Sequence, residues 1–105
     1  MRLPRIYMGG NIIIEEAPVF LDANALLNKL PKQGCGAVVS FLGITRGKDG
    51  DAEVLRLEFD AWQDKLTSVL EGLAQQAIDD FSVTAVAMAH RTGSVGPEQP
   101  IVAIH

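Results

Sequence analysis

Residues 36–47 read GAVVSFLGITRG, and the interpretation of the whole chain starts from this stretch. Its first half is an uninterrupted run of apolar, strand-forming residues, which is typical of a strand buried on both faces. Its second half opens into Gly43, Thr45, Arg46 and Gly47, where glycine permits tight turns and the close approach of a ligand. Arg46 adds a fixed positive charge and a planar set of donors suited to carboxylate or phosphate. The stretch therefore predicts a buried strand that leads into an anion site.

Length and composition restrict the possible classes of protein. The chain has 105 residues, so we expect one domain over residues 1–105. Hydrophobic residues make up 48% and charged residues 21%, which argues against a disordered chain. The formal net charge of −4 argues against broad nucleic-acid binding. No segment approaches the roughly 20 apolar residues that a membrane span needs. Cys35 is the only cysteine, which excludes an internal disulfide and fits a reducing cytoplasm.

Two helices are expected on either side of the 36–47 stretch. Asp22 can cap a short helix over residues 23–30, and Pro31 stops it. A longer helix is expected to begin at a cap on Asp60 and to end near Asp79, because apolar residues recur at three- and four-residue steps. That stripe comprises Trp62, Leu66, Val69, Leu70, Leu73, Ala77 and Ile78.

The remaining segments predict strands and turns. A β-branched run at residues 12–14 indicates a strand that Glu15 and Glu16 end in solvent. Residues 54–59 alternate in polarity, and an Asp-Gly pair precedes them, so we expect a strand antiparallel to the first, with Arg46 at the tip of the hairpin. Two further strands are expected, at residues 83–89 and 101–104, with a loop over residues 94–100 between them. The order β-α-β-β-α-β-β predicts an α+β fold with a mainly antiparallel sheet and two helices.

Two strand ends place an arginine close to a glycine. Gly47 follows Arg46 directly, and residues 90–93 read HRTG. If these ends converge, they form a cationic pocket with a titratable histidine that could act as a general acid or base. The alternatives are structural: a solvated Arg46, a His90 that only hydrogen-bonds at its strand end, and an Arg91 paired with Glu58 or Asp60.

No motif in the sequence indicates a metal or a nucleotide cofactor. His90 and His105 are far apart, and no cysteine or carboxylate joins them at metal-ligand spacing, so we expect no zinc. The sequence contains neither a phosphate-binding P-loop nor a GxGxxG pattern, so we expect no nucleotide cofactor.

Three segments together resemble a known family. GAVVSFLGITR at residues 36–46, LEFDAW at 57–62 and HRTG at 90–93 resemble the large, catalytic subunit of molybdopterin synthase, the MoaE family, in order and spacing. The resemblance implies an α/β hammerhead-type fold and a homodimer. It also implies a partner, a small ubiquitin-like (MoaD-like) sulfur carrier with a C-terminal Gly-Gly thiocarboxylate. The implied reaction moves two sulfur atoms to cyclic pyranopterin monophosphate, which gives the dithiolene of molybdopterin.

The resemblance also implies which residues bind substrate. Carried over by motif, Phe41 and Arg46 line the pocket, and the strand end at His90 and Arg91 supports it. The family's catalytic lysines follow the final strand in a segment that these 105 residues do not contain, so we expect a C-terminally short member whose catalytic residues stay unassigned. Two alternatives remain open: a non-catalytic dimeric module of the same fold that docks a carrier tail, and an unrelated α+β domain.

Overall fold

The computed structural model describes residues 6–49, 52–53, 57–59 and 65–105. Nine strands occupy Ile6–Gly9 (β1), Ile12–Ala17 (β2), Phe41–Ile44 (β3), Lys48–Asp49 (β4), Ala52–Glu53 (β5), Leu57–Phe59 (β6), Val86–Arg91 (β7), Gly93–Val95 (β8) and Pro100–Ile104 (β9) within that part of the chain. The two helices there are Ala23–Lys29 (α1) and Lys65–Phe81 (α2).

Five of the strands form one sheet, in the order β1-β2-β7-β9-β3. The pair β2–β7 is parallel, whereas β1–β2, β7–β9 and β3–β9 are antiparallel. Two small antiparallel ribbons, β4–β5 and β6–β8, complete the described strands. The predicted α+β class, with a mainly antiparallel sheet and two helices, is confirmed.

The helices cover opposite faces of the sheet and so create two cores. Successive residues of a strand point to opposite faces. Ile13 and Ala17 therefore pack with Leu26 of α1, whereas Ile12 and Ile14 pack on the other face with Ala74 of α2. Since β2 and β7 are buried on both faces, they read as nearly continuous apolar runs.

The start of α1 follows the sequence prediction. The side chain of Asp22 accepts a hydrogen bond from the backbone N–H of Ala25 at 3.0 Å, so the predicted cap is confirmed. The helix ends at Lys29, and Leu30 is extended, as expected for the residue before a proline.

The second helix differs from the prediction in its apolar stripe. Leu70 and Ile78 pack around Ala74 as part of the core, but Val69 and Leu73 are about half exposed, so the buried stripe is narrower than predicted. The helix continues to Phe81, past the expected end near Asp79. The predicted cap Asp60 and the stripe residue Trp62 lie outside the described residues.

The prediction of a strand buried on both faces at residues 36–47 is wrong. Regular strand structure begins only at Phe41, and β3 is the last strand of the sheet, where Phe41 is 58% exposed. An apolar run has the same appearance in sequence whether its cover comes from the same chain or from elsewhere, which is why the pattern misled.

The predicted hairpin is also wrong. Strand β3 pairs with β9, and β6 pairs with β8, so the segment ending at Phe59 is not the partner of β3. The strands that flank the Asp-Gly signal, β4 and β5, pair with each other instead, and Gly50 lies outside the described residues. Strands β1 and β8 were not predicted, and β8 occupies part of the expected 94–100 loop.

Candidate functional site

The two arginine-bearing strand ends lie at the same edge of the sheet. Strands β3 and β7 each pair antiparallel with β9, so they run in the same direction and their C-terminal ends meet one edge. Arg46 lies two residues after β3, and Arg91 is the last residue of β7. The start of β9 lies between them.

The loop that carries Arg46 is fixed by backbone hydrogen bonds of the preceding residue, Thr45, and not by the Arg46 side chain. The N–H of Thr45 donates to the Gln99 carbonyl at 2.9 Å, and the N–H of Glu98 donates to the Thr45 carbonyl at 2.8 Å. These bonds fasten the loop to the turn before β9. The guanidinium of Arg46 is exposed, and no residue in the described ranges forms an ion pair or hydrogen bond with it. Its donors are therefore available to an external anion.

A carboxylate that the sequence analysis missed lies beside this loop. A Cβ added to Gly47, the residue after Arg46, would lie 3.2 Å from Oε1 of Glu98. Glu98 adopts the left-handed backbone conformation, with φ of 60°. This negative charge opposes an anionic ligand, although solvent screens both exposed groups. No local pattern marks Glu98, because its position depends on the contact between two separate loops.

Phe41 lies on the α2 side of the sheet. In the sheet register it aligns with Ile104, Met88 and Ile14, which belong to the core against α2. Gly43 leaves room next to it, because a Cβ at that position would lie 2.6 Å from Cγ1 of Val102 and 3.6 Å from Cε1 of Phe41. The glycine thus allows the Val102 and Phe41 side chains to fill this part of the face.

His90 lies on the same face as Phe41 but not next to it. It is aligned with Val102 of β9, and Val102 is aligned with Gly43 of β3. With β9 between them, the Cα atoms of His90 and Phe41 are roughly 10 Å or more apart at normal strand spacing. The Nδ1 atom of His90 lies 2.6 Å from the Arg91 carbonyl, so Nδ1 carries the proton and donates.

Arg91 points to the opposite face and is engaged by backbone. Its side chain is buried, and the residue is 6% exposed. Nε donates to the Ala17 carbonyl at 2.8 Å, and Nη2 donates to the carbonyls of Ser94 at 3.1 Å and Pro18 at 3.4 Å. The arginine joins the end of β2 to β8 and so braces the edge that carries Arg46. The side chains of Glu58 and Asp60, its predicted alternative partners, are not among those described.

Glu16 is a second acidic residue whose place differs from the prediction. It was expected in solvent, but it is buried beneath α2, where the Thr67 hydroxyl donates to Oε2 at 3.4 Å. It is aligned with His90 on the neighbouring strand β7. Glu15 and Glu16 are adjacent on a strand, so the sequence shows that they point to opposite faces. It does not show that β2 is covered on both faces, which is what buries Glu16.

Two negative findings apply to the described ranges 6–49, 52–53, 57–59 and 65–105. No group of three or more His, Cys, Asp or Glu side chains there could hold a metal ion. None of the helices found there is long and apolar enough to cross a bilayer.

Comparisons with known proteins agree with the resemblance. Residues 14–105 match the family model described as MoaE protein. The molybdopterin synthase catalytic subunit of Aspergillus oryzae is 34% identical over 85 residues, which cover 81% of this chain and 48% of that protein. The subunit of the same name from Thermoplasma volcanium is 27% identical over 94 residues, or 90% of this chain and 69% of that protein. The chain spans about half the length of the fungal relatives, with 48% coverage for Aspergillus oryzae.

A solved structure supports the same assignment. The molybdopterin cofactor biosynthesis protein E from Burkholderia multivorans superposes with a TM-score of 0.74 at 26% identity, covering 87% of this chain and 60% of that chain. The fold expected from the resemblance is therefore confirmed. Because the family model covers residues 14–105 and the architecture agrees with a solved member, the chain belongs to the MoaE protein family.

Proposed function

We propose that this chain acts as the catalytic subunit of a molybdopterin synthase in molybdenum cofactor biosynthesis. The reaction is sulfur transfer from a thiocarboxylated carrier protein to cyclic pyranopterin monophosphate. The observation that carries the proposal is the exposed guanidinium of Arg46, which pairs with no residue in the described part of the chain and lies at a braced sheet edge, in a chain of this family. The phosphate of the pterin and the C-terminal tail of the carrier are both anions that such a guanidinium binds.

The proposed roles follow from where each side chain lies. Arg46 binds the anion. Phe41 offers an exposed aromatic ring on the strand that leads to Arg46, which suits a flat pterin or an extended tail. Arg91 supports the site from the opposite face through its three carbonyl contacts. His90 lies on the face of Phe41, with Nδ1 bound to the Arg91 carbonyl, and contributes to the substrate-binding wall.

The proposed assembly is a homodimer that docks a small MoaD-like carrier on each copy, in the cytoplasm. We assign residues 1–105 to one domain. The alternative is a non-catalytic dimeric module that docks a carrier tail. The contacts of two lysines favour this alternative. Lys29 pairs with Glu15, and Lys32 donates to the carbonyls of Leu27 and Leu30. Both ammonium groups are therefore engaged within the chain and are not placed to act on a substrate.

Reconstitution separates these two functions. The purified chain is mixed with a thiocarboxylated carrier and cyclic pyranopterin monophosphate, and the dithiolene product is measured. The same carrier ending in an ordinary Gly-Gly carboxylate is the control. The enzyme proposal predicts product only with the thiocarboxylate. Carrier binding without dithiolene would contradict it and would favour the binding module.

A further inference from the structure

A serine and a histidine face each other on the α1 side of the sheet. The register aligns Ser40, just before β3, with His105, just after β9. Both backbone groups of His105 bond to Ala87 of β7, so its pairing with Ser40 is of the type without backbone hydrogen bonds, in which opposite side chains are closest. Their neighbours Phe41 and Ile104 lie on the α2 side, so the serine and the histidine project toward α1.

Two hydrogen bonds orient the imidazole of His105. Its Nε2 atom lies 2.8 Å from the carbonyl of Ala23, the first residue of α1. Because a carbonyl only accepts, Nε2 carries the proton, and Nδ1 of the neutral ring is an acceptor. Nδ1 lies 2.7 Å from Oγ of Ser40, so the serine hydroxyl donates to it. Ser40 is exposed, so a reagent in solution can reach its oxygen.

We propose that Ser40 is an acyl-accepting nucleophile, that His105 is its general base, and that the substrates are small apolar esters or thioesters. A nucleophile within hydrogen-bond reach of a base, which is itself oriented by a third group, is the arrangement that activates a serine. The Ala23 carbonyl takes the orienting place that a carboxylate has in serine proteases, where it fixes the tautomer of the histidine.

The transfer needs no reagent besides the ester and water. The Oγ atom of Ser40 forms a bond to the acyl carbon while its proton passes to Nδ1 of His105. The bond from the acyl carbon to the leaving alcohol or thiol breaks, and the leaving group takes the proton from Nδ1. Water then attacks the acyl-serine and gives its proton to the same nitrogen, which returns it to Oγ as the carboxylic acid leaves.

A cavity next to the pair explains the preference for an apolar acyl group. Its volume is about 490 Å³, within the range of roughly 300–1,000 Å³ that is usual for small-molecule sites. His105 and residues 36–39, which directly precede Ser40, form part of its wall. The rest of the wall is mainly apolar and includes Leu30, Met88 and Ile104. An acyl chain in this cavity has its carbonyl end beside the serine.

Labelling with a fluorophosphonate probe tests whether the serine is activated. The probe forms a stable ester with an activated serine hydroxyl and releases fluoride, and mass spectrometry of the digested protein identifies the labelled residue. We expect the label on Ser40 and its loss in Ser40→Ala. The matched control is Ser68→Ala, which removes an exposed serine from α2 and should leave the labelling unchanged.

Replacement of the histidine separates a base from a structural contact. His105→Gln keeps an amide N–H that can donate to the Ala23 carbonyl but has no basic nitrogen, and it should slow the labelling roughly 100-fold, the size of a general-base contribution. In His105→Ala, added imidazole should restore part of the rate. A merely structural role predicts neither the slow labelling of the folded glutamine variant nor the rescue.

Ester hydrolysis tests the role of the cavity. With p-nitrophenyl acetate and p-nitrophenyl butyrate as substrates, kcat/KM of the unaltered protein should be about tenfold higher for the butyrate, because burial of each added methylene favours binding roughly fourfold. Ser40→Ala should abolish the reaction with both esters, whereas Cys35→Ser, which alters a thiol at the cavity wall, should retain it.

The possible results decide the proposal without reference to sulfur transfer. Absence of label from Ser40, equal labelling of Ser40 and Ser68, or full-rate labelling of His105→Gln would overturn the nucleophile–base pair. Equal kcat/KM for the two esters would overturn the acyl site in the cavity. The reconstitution assay measures dithiolene formation separately, so its failure and the failure of this inference are distinguishable.

Discussion

Arg46 and Arg91 share a local sequence pattern but have opposite environments. Arg46 is exposed, with its guanidinium open to solvent, whereas Arg91 is buried and donates to three backbone carbonyls. The sequence left the convergence of the two strand ends open, and the antiparallel pairing of both β3 and β7 with β9 brings them to one edge. Which face Arg91 occupies could not be predicted, since it depends on the register of β7 against β2.

We expect Arg91→Leu to lower the free energy of unfolding by about 2–4 kcal/mol. The substitution removes the hydrogen bonds from the guanidinium to the carbonyls of Ala17, Pro18 and Ser94, and hydrogen bonds from a charged group contribute about 1.5–3 kcal/mol each. Urea denaturation measures the change. Arg46→Leu is the matched control and should change stability by less than about 0.5 kcal/mol, as is usual at exposed positions. Equal losses for the two variants would contradict the assigned roles.

Glu98 should weaken anion binding at the neighbouring loop. Glu98→Gln removes a negative charge beside Gly47 and should tighten binding of an anionic peptide roughly two- to fivefold at low salt, the size of an exposed charge effect. Calorimetric titration with a peptide ending in Gly-Gly carboxylate measures it, and the gain should shrink in high salt. Asp80→Asn, which removes the same charge from α2, should have no effect. An unchanged affinity for Glu98→Gln at low salt would show that its carboxylate does not act on the site.

At the scale of elements, the packing of β3 on β9 depends on Gly43. A Cβ at Gly43 would lie 2.6 Å from Cγ1 of Val102, closer than real Cβ contacts permit, so Gly43→Ala should destabilise the protein by about 1–3 kcal/mol through overpacking. Gly36→Ala is the control, because a Cβ there meets no atom within 4 Å, and its effect should stay within about 0.5 kcal/mol. Chemical denaturation of both variants tests the difference. A stable Gly43→Ala variant would mean that the strand shifts to admit the methyl group.

The elements that the sequence predicted correctly are those with local causes. The α1 cap depends on Asp22 and Ala25, three residues apart, and the final strand depends on its own apolar run. The pairing of β3 could not be predicted in this way. Phe41 pairs with Ile104, and the choice between β6 and β9 is made by contacts between distant parts of the chain.

At the scale of the whole molecule, the same limit explains what was missed around the site. The residues from 36 to 46 predicted an anion-binding arginine, but Glu98 enters the site only when the turn before β9 packs against Gly47. The apolar run at residues 38–44 was interpreted as interior because its sequence does not show that β3 is the last strand of the sheet.

Binding of the carrier tail is the sharpest test of the proposed role of Arg46. The peptide ending in Gly-Gly carboxylate is titrated against the unaltered protein, Arg46→Ala and Lys48→Ala, which removes an exposed positive charge two residues farther along. Loss of charge-assisted hydrogen bonds worth about 1.5–3 kcal/mol predicts an affinity roughly 10- to 100-fold weaker for Arg46→Ala. Lys48→Ala should remain close to the unaltered protein, and both variants should keep its unfolding midpoint. Equal affinities for Arg46→Ala and the unaltered protein would contradict that role and remove Arg46 from the site.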